Sequence, residues 1–131
     1  MQTKNKVLFD ASAILALIKK EQGYEILEDL LASSCISAVN LSEVVSVLTR
    51  VGIPTVEVEE IVNEVIPEVL DFNRHIGILA GSLIANTNKL GLSLGDRACI
   101  ATGIINNMVI YTTDQAWGKL QIANLNVVVI R

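Results

Sequence analysis

Lys6-Val7-Leu8-Phe9-Asp10-Ala11-Ser12-Ala13 is the stretch that decides the fold class. Lys6 to Phe9 reads as a short buried strand that stops at an acid. From Ser12 to Lys20 the pattern changes period, with Ile14, Leu15, Leu17 and Ile18 at helical spacing. A continuous apolar strand that passes straight into a helix opens a β–α unit. Such strands belong to parallel sheets covered on both faces.

The alternation continues outward from there. A second helix is expected near Gly23 to Ala32, with Ile26, Leu27, Leu30 and Leu31 on one face, and a strand over Cys35 to Val39. Asn40 is an N-cap candidate with Glu43 three residues on, as in a capping box. That helix runs to about Val51 and is stopped by Gly52 and Pro54. Thr55 caps the next helix, which is apolar at Ile61, Val62, Val65 and Ile66, and Pro67 to Phe72 reads as a strand. Asn73 opens a long helix (Ile76, Leu79, Ala80, Leu83, Ile84) that ends near Gly91. A mostly apolar helix over Ser93 to Ile105, a strand over Val109 to Thr112, a short helix over Ala116 to Leu120 and a strand over Asn126 to Ile130 complete the chain. No repeat, low-complexity run or linker interrupts it. The expected class is α/β: a parallel sheet flanked by helices on both faces.

Composition bounds the function. The 131 residues are 51% hydrophobic, 18% charged and 4% aromatic, with mean hydropathy +0.51 and a pI of about 4.9. This length suits one domain over residues 1–131 with its own core, and so apolar a chain does not stay disordered. No uncharged apolar run reaches the ~18 residues of a membrane span. Met1 to Asp10 carries Lys4 and Lys6 and then an acid, unlike a signal peptide. The expectation is a cytoplasmic protein without a membrane partner. Cys35 and Cys99 lie among apolar neighbours, and His75 is the only histidine. Zinc sites and Cys/His or Ser/His nucleophiles are therefore disfavoured, and the cysteines read as buried thiols in a reducing compartment.

Charge is unevenly spread. Residues 1–71 hold 12 acids and 5 bases, whereas residues 72–131 hold 2 acids and 5 bases. Glu57, Glu59, Glu60, Glu64 and Glu68 read as a solvated helix face, and no cluster of bases forms a nucleic-acid tract.

In open α/β sheets the working site lies beyond the carboxyl ends of the strands. Four carboxylates fall there. Asp10 ends the first strand, Glu43 opens the helix after the second, Asp96 opens the Ser93 helix and Asp114 follows the strand Val109 to Thr112. Each also has a local role on offer: Asp10 and Asp114 as N-caps, Glu43 and Asp96 in capping boxes on Asn40 and Ser93. Yet the only two acids of residues 72–131 both sit at such junctions. Four acids converging on one pocket would raise one another's pKa and call for a cation. Oxygen-only ligands select Mg²⁺ or Mn²⁺, and such an ion can activate water and stabilise an in-line phosphoryl displacement. The chemistry implied is metal-dependent phosphodiester hydrolysis.

Asp10-Ala11-Ser12-Ala13 after a short strand, Asn40-Leu41-Ser42-Glu43-Val44, Leu92-Ser93-Leu94-Gly95-Asp96-Arg97 and Thr112-Thr113-Asp114 together resemble the motifs of PIN-domain nucleases. More narrowly they resemble the VapC-type toxins of type II toxin–antitoxin systems, over nearly the whole chain. The resemblance implies a five-stranded parallel sheet of order 3-2-1-4-5 and a Mg²⁺- or Mn²⁺-dependent, single-strand-selective endoribonuclease. It maps the family's acids onto Asp10, Glu43, Asp96 and Asp114 as catalytic and metal-binding residues. Ser12 and Thr112 become supporting residues, Ser12 orienting Asp10 or a water and Thr112 helping to hold the fourth acid. It further implies products with a 5′-phosphate and a 3′-hydroxyl, a transfer or ribosomal RNA substrate, a homodimer and a cognate VapB-type antitoxin. Gln115 and Ala116 stand where some members carry another acid, which leaves a second metal ion open.

Around this site Arg97 and Lys119 are the candidate RNA contacts, Arg97 with a salt bridge to an acid as its alternative. Trp117 could stack on a base but reads as core beside Leu120, and Lys19 and Lys20 read as solvated. Two rival site patterns fail: a receiver-type phosphoacceptor needs paired acids and a lysine on the last strand, and a haloacid-dehalogenase-like phosphatase needs Asp-x-Asp where Asp10-Ala11-Ser12 stands. A housekeeping RNA-processing nuclease of the same family and a non-catalytic RNA- or protein-binding module remain as alternatives. Without the four site acids the chain has ten acids against ten bases, so its acidity does not argue against an RNA substrate. The helices over Ser12–Lys20 and Asn40–Val51 carry more apolar surface than one sheet buries, which reads as surface for a second protomer and an antitoxin.

Overall fold

The structure is a computed structural model that describes residues 6–131. The lysine at position 4 and the rest of Met1 to Asn5 lie outside the described residues. The chain runs β1 (Val7–Phe9), α1 (Ala11–Lys19), α2 (Tyr24–Leu30), β2 (Ser34–Ser37), α3 (Ala38–Arg50), α4 (Thr55–Val65), β3 (Val69–Leu70), α5 (Arg74–Ser82), α6 (Ile84–Thr87), α7 (Leu94–Asn106), β4 (Val109–Thr112) and β5 (Asn126–Val129). Single 3₁₀ turns occupy Leu31–Ser33, Asn88–Leu90 and Gln115–Lys119. The five strands form one sheet in the order β3-β2-β1-β4-β5, and every pairing is parallel.

Side-chain alternation along the strands divides the core in two. Leu8, Cys35 and Ile110 point to one face, where α5 and α7 cover them with Ile76, Ala80, Cys99 and Ile100. Phe9 and Ile36 point to the other, against Ala13, Ile14 and Ala16 of α1, Leu27 of α2, Val44 and Leu48 of α3 and Val58 of α4. The chain thus crosses from one face to the other between β3 and β4. This puts the reversal of strand order between β1 and β4, the place where open α/β sheets bind their ligands. Buried residues occur all round α7, from Gly95 to Gly103, because it lies under α5 and α3 as well as on the sheet.

Several expected boundaries move for local reasons. The helix after β2 starts earlier than Asn40: the N-cap is Ser37, whose hydroxyl accepts from Val39 N, so β2 stops at Ser37 rather than Val39. Asn40 is therefore inside α3, and its side chain is free for another role. Thr55 is the first residue of α4; the cap is Pro54, without a side-chain bond. The strand expected over Pro67–Phe72 shortens to Val69–Leu70, which pair only with Ile36 and Ser37. Asn73 caps α5 as expected, accepting from Ile76 N at 3.0 Å. The long helix to Gly91 breaks at Leu83, with ψ near 0°, into α5, α6 and a 3₁₀ turn. Glu57, Glu59, Glu60 and Glu64 are exposed along α4, and Glu68 pairs with Lys6. Both cysteines are free and buried. Trp117 is in the core at 1% exposure. No helix among the described residues is long and apolar enough to cross a membrane.

Candidate active site

Asp10 is the hub of the carboxyl end of β1. Its backbone is extended, and its Oδ1 caps α1 by accepting from Ala13 N at 2.9 Å. The Ser12 hydroxyl donates to the same oxygen at 2.7 Å. The Thr112 hydroxyl, arriving from β4 next door, donates to Oδ2 at 2.6 Å. Thr112 also accepts from Asp114 N at 3.1 Å, so one hydroxyl bridges the first acid and the backbone of the fourth. Thr112 thus reaches the fourth acid, as the resemblance implies, and its shorter bond goes to the first. Ser12 closes the ring by accepting from Thr113 N at 3.0 Å.

Asp10 is only 4% exposed. Burial raises its pKa from 3.8 to about 6; the hydrogen bonds from Thr112, Ser12 and Ala13 oppose that rise, and the Asp96 carboxylate adds to it. Burial thus moves Asp10 toward its neutral form relative to a free carboxylate, and the three donors move it part of the way back. A cation placed there would reverse that shift.

The other acids come from three further elements. Asp96 lies in the first turn of α7, closing a capping box with Ser93: Ser93 N donates to Oδ2 at 2.8 Å and Asp96 N donates to the Ser93 hydroxyl at 3.2 Å. Glu43 lies one turn into α3 and is not part of a box on an N-cap; Asn40 Nδ2 donates to its Oε1 at 2.6 Å. Asp114 caps the 3₁₀ turn after β4, its Oδ1 accepting from Ala116 N at 3.0 Å. Asp10, Asp96 and Glu43 all act on Cys99: burial first, then these three carboxylates, raises its thiol well above the ordinary range. The thiol therefore stays protonated beneath the acids and is no nucleophile.

Among the described residues no three His, Cys, Asp or Glu side chains already stand as a metal-binding cluster. Each acid is instead turned to its own local partner. Two features fit a hard divalent cation nonetheless. The donor set is oxygen only, and the buried Asp10 carboxylate has lone pairs beyond the three it uses. The four acids thus surround one end of the sheet without yet forming a single cage.

The secondary candidates fare differently. Arg97 makes no salt bridge among the described residues; its Nε donates to Ala80 O at 3.2 Å and ties α7 to α5. Lys119 is exposed at the end of the 3₁₀ turn after β4. Two residues at the site were not singled out from sequence for what they do there. Asn40 reads as a cap and turns out to hold Glu43, and Gly95 is a glycine against which the Glu43 carboxylate packs. A glycine in the first turn of a helix, where most residues serve better, was the available signal. A groove of about 370 Å³ lies between α3 and α4, lined by Leu41, Val45, Val58 and Val62 among others, and none of the four acids lines it.

Solved structures share this architecture. A chain of the VapBC complex from Rickettsia felis bound to a promoter DNA fragment superposes with a TM-score of 0.74 at 17% identity, over 95% of this chain and 98% of that one. A chain of DNA-bound VapBC from Salmonella typhimurium gives 0.73 at 16% identity, over 96% and 98%. A Sarcin-Ricin loop cleaving VapC toxin from Mycobacterium tuberculosis gives 0.69 at 15% identity, over 88% and 97%. At these identities the likeness is one of fold. No curated protein matches at the level of sequence. The sequence itself matches the PIN domain over residues 7–122, a span that contains all four acids and all five strands except β5. The chain belongs to the PIN domain family.

Proposed function

We propose that this chain is a Mg²⁺- or Mn²⁺-dependent endoribonuclease and the toxin of a type II toxin–antitoxin pair. The observation that carries the reading is the buried Asp10 carboxylate, held by Ser12, Thr112 and Ala13 N at the carboxyl ends of β1 and β4, with Asp96 adjacent in its field. Asp10, Glu43, Asp96 and Asp114 would hold the ion. When bound, it would supply Lewis-acid stabilisation of the phosphate and lower the pKa of the attacking water. The chain's own part is to orient. Ser12 and Thr112 fix both oxygens of Asp10, and Thr112 ties Asp114 to it. The capping box holds Asp96 at the start of α7, whose positive dipole end favours the acid and an approaching phosphate. Lys119, exposed beside Asp114's turn, would meet the RNA backbone.

The partner reading draws on the shared fold and on surface chemistry. The named structures are two VapBC complexes and a Sarcin-Ricin loop cleaving toxin. Val51, Val56, Ile78, Ile84 and Leu94 are large apolar side chains left exposed, and the α3–α4 groove is apolar. We propose that a second copy and a VapB-type antitoxin cover part of this surface.

The test is cleavage of transfer and ribosomal RNA by the purified protein with Mg²⁺ or Mn²⁺. EDTA should stop it, and Asp10→Asn and Asp96→Asn should each abolish it while remaining folded, since asparagine caps α1 as well as aspartate does and its carbonyl oxygen can still accept from Ser93 N. Cleavage that persists in both variants would sink the nuclease reading. Co-expression with the product of an adjacent small gene should relieve growth arrest; arrest that no neighbouring gene relieves would count against the toxin reading.

A further inference from the structure

We infer that Asn40 and Gly95 form a clamp that sets the place of the Glu43 carboxylate, Asn40 by holding it and Gly95 by leaving it room. The inference rests on the nuclease reading for its consequence, but its geometry stands apart from it.

Three observations converge. Asn40 is 1% exposed, and its amide nitrogen spends one hydrogen on Glu43 Oε1 at 2.6 Å and the other on Gly95 O at 3.0 Å. Both partners are acceptors, so only the nitrogen can face them and the amide orientation is forced. One side chain of α3 therefore binds its own helix's acid and the backbone of α7 at once. Second, a Cβ at position 95 would lie 2.5 Å from Glu43 Cδ and 2.6 Å from Oε1. The carboxylate rests directly on the Gly95 backbone, and any larger residue would drive it out. Third, Asn40 Oδ1 is buried and has no hydrogen-bond partner among the described residues. An unpartnered buried acceptor costs stability, and a leucine of similar size would avoid that cost. Glycine likewise weakens the first turn of α7. Both positions sacrifice stability, and what they obtain in common is one fixed place for Glu43.

The chemistry explains the residue types. Aspartate at 40 would set a second carboxylate against Glu43 and a carbonyl oxygen, with no donor to either. Leucine would fill the space without a donor. Glu43 has three rotatable bonds, so an unclamped carboxylate would have to be ordered each time an ion binds.

The clamp can be read without activity. In the metal-depleted protein both Asn40 side-chain amide protons should exchange slowly with solvent, and Glu43→Ala should release one of them. Protons that exchange like those of a free asparagine would overturn the clamp whatever the enzyme does. Calorimetric titration with Mn²⁺ should then show Asn40→Leu and Gly95→Ala binding 10–100-fold more weakly, the usual size for a residue that orients a metal ligand. Asn40→Leu should remain folded by circular dichroism, because it removes an orphaned acceptor. Gly95→Ala reaches Glu43 by a separate route and keeps the test alive if one variant misfolds. Combining Asn40→Leu with Glu43→Ala should add no further loss of Mn²⁺ affinity. A fully additive loss, or Asn40→Leu with unchanged affinity, would overturn the proposal. A protein with a protected Asn40 amide and clamp-dependent Mn²⁺ binding that cuts no RNA would overturn the nuclease reading alone.

Discussion

Thr112 Oγ1 donates to Asp10 Oδ2 at 2.6 Å across 102 residues of sequence. This bond joins the ends of two neighbouring parallel strands and places a charge-accepting group where the strand order reverses. Thr112→Val keeps the shape and removes the donor. A hydrogen bond to a charged group contributes about 1.5–3 kcal/mol, so the ionised form of Asp10 should lose that support and its pKa should rise further. The acidic limb of the cleavage pH profile should move to higher pH, and Thr112→Ser should restore it. An unchanged profile in a folded Thr112→Val protein would show that Thr112 acts only on the Asp114 backbone.

Stability of the metal-depleted protein should depend on pH through Asp10. Its folded-state pKa is raised to about 6 from 3.8, so the native state binds the proton more tightly than the unfolded chain. The stabilisation is fully present below the unfolded pKa and is lost as pH rises through the folded one. Between pH 5 and pH 8 this group alone should cost about 1.4 kcal/mol. Denaturant melts at the two pH values measure it, with Asp10→Asn as the control that flattens the difference. Mn²⁺ should recover stability at pH 8 in the native sequence and much less in the variant.

Two glycines in helices should respond to alanine with opposite signs. Gly81 in α5 is exposed and a Cβ there meets nothing within 4 Å, so Gly81→Ala should stabilise by up to about 1 kcal/mol through helix propensity. Gly103 in α7 packs on β4, and a Cβ there would lie 2.5 Å from Ile110 Cδ1 and 2.7 Å from Cγ1. Ile110 is fully buried and has little room to give. Overpacking costs about 1–3 kcal/mol, so Gly103→Ala should be destabilising despite the same propensity gain. Thermal melts of the two variants check both signs.

Arg97 should matter for stability more than for RNA. Its Nε bond to Ala80 O spans α7 and α5, and Arg97→Gln should cost about 1 kcal/mol. The salt dependence of RNA binding should be unchanged. A slope smaller by about one would restore Arg97 as a phosphate contact.

The sheet, and the positions of the acids at its carboxyl end, were readable because their signals are local. Val7–Phe9 and Val109–Thr112 are apolar runs with an abrupt polar end, and Asp10 and Asp114 follow them directly. Most of what was not readable depends on contacts between distant segments. The break at Leu83 follows the pair Gly81-Ser82, a local kink signal that the unbroken apolar period through Ile84 masks. Ser37 takes the cap that Asn40 also suits, because β2 stops where its pairing with β3 ends. That choice frees Asn40 to reach Gly95, 55 residues away, and no spacing rule shows such a pair. Arg97's partner is a backbone carbonyl, which leaves no trace in side-chain pattern.

Asp10 and Asp114 cap a helix and a helical turn, and Asp96 closes a capping box, so in the proposed nuclease the same atoms would serve architecture and chemistry. An exchange of aspartate for asparagine leaves the architectural half intact and deletes the other. One nucleotide change in the codon accomplishes it. On the proposed function, that single step would give a silent protein that still folds and still presents the same surface to a partner. Such a descendant would compete for the partner rather than simply disappear.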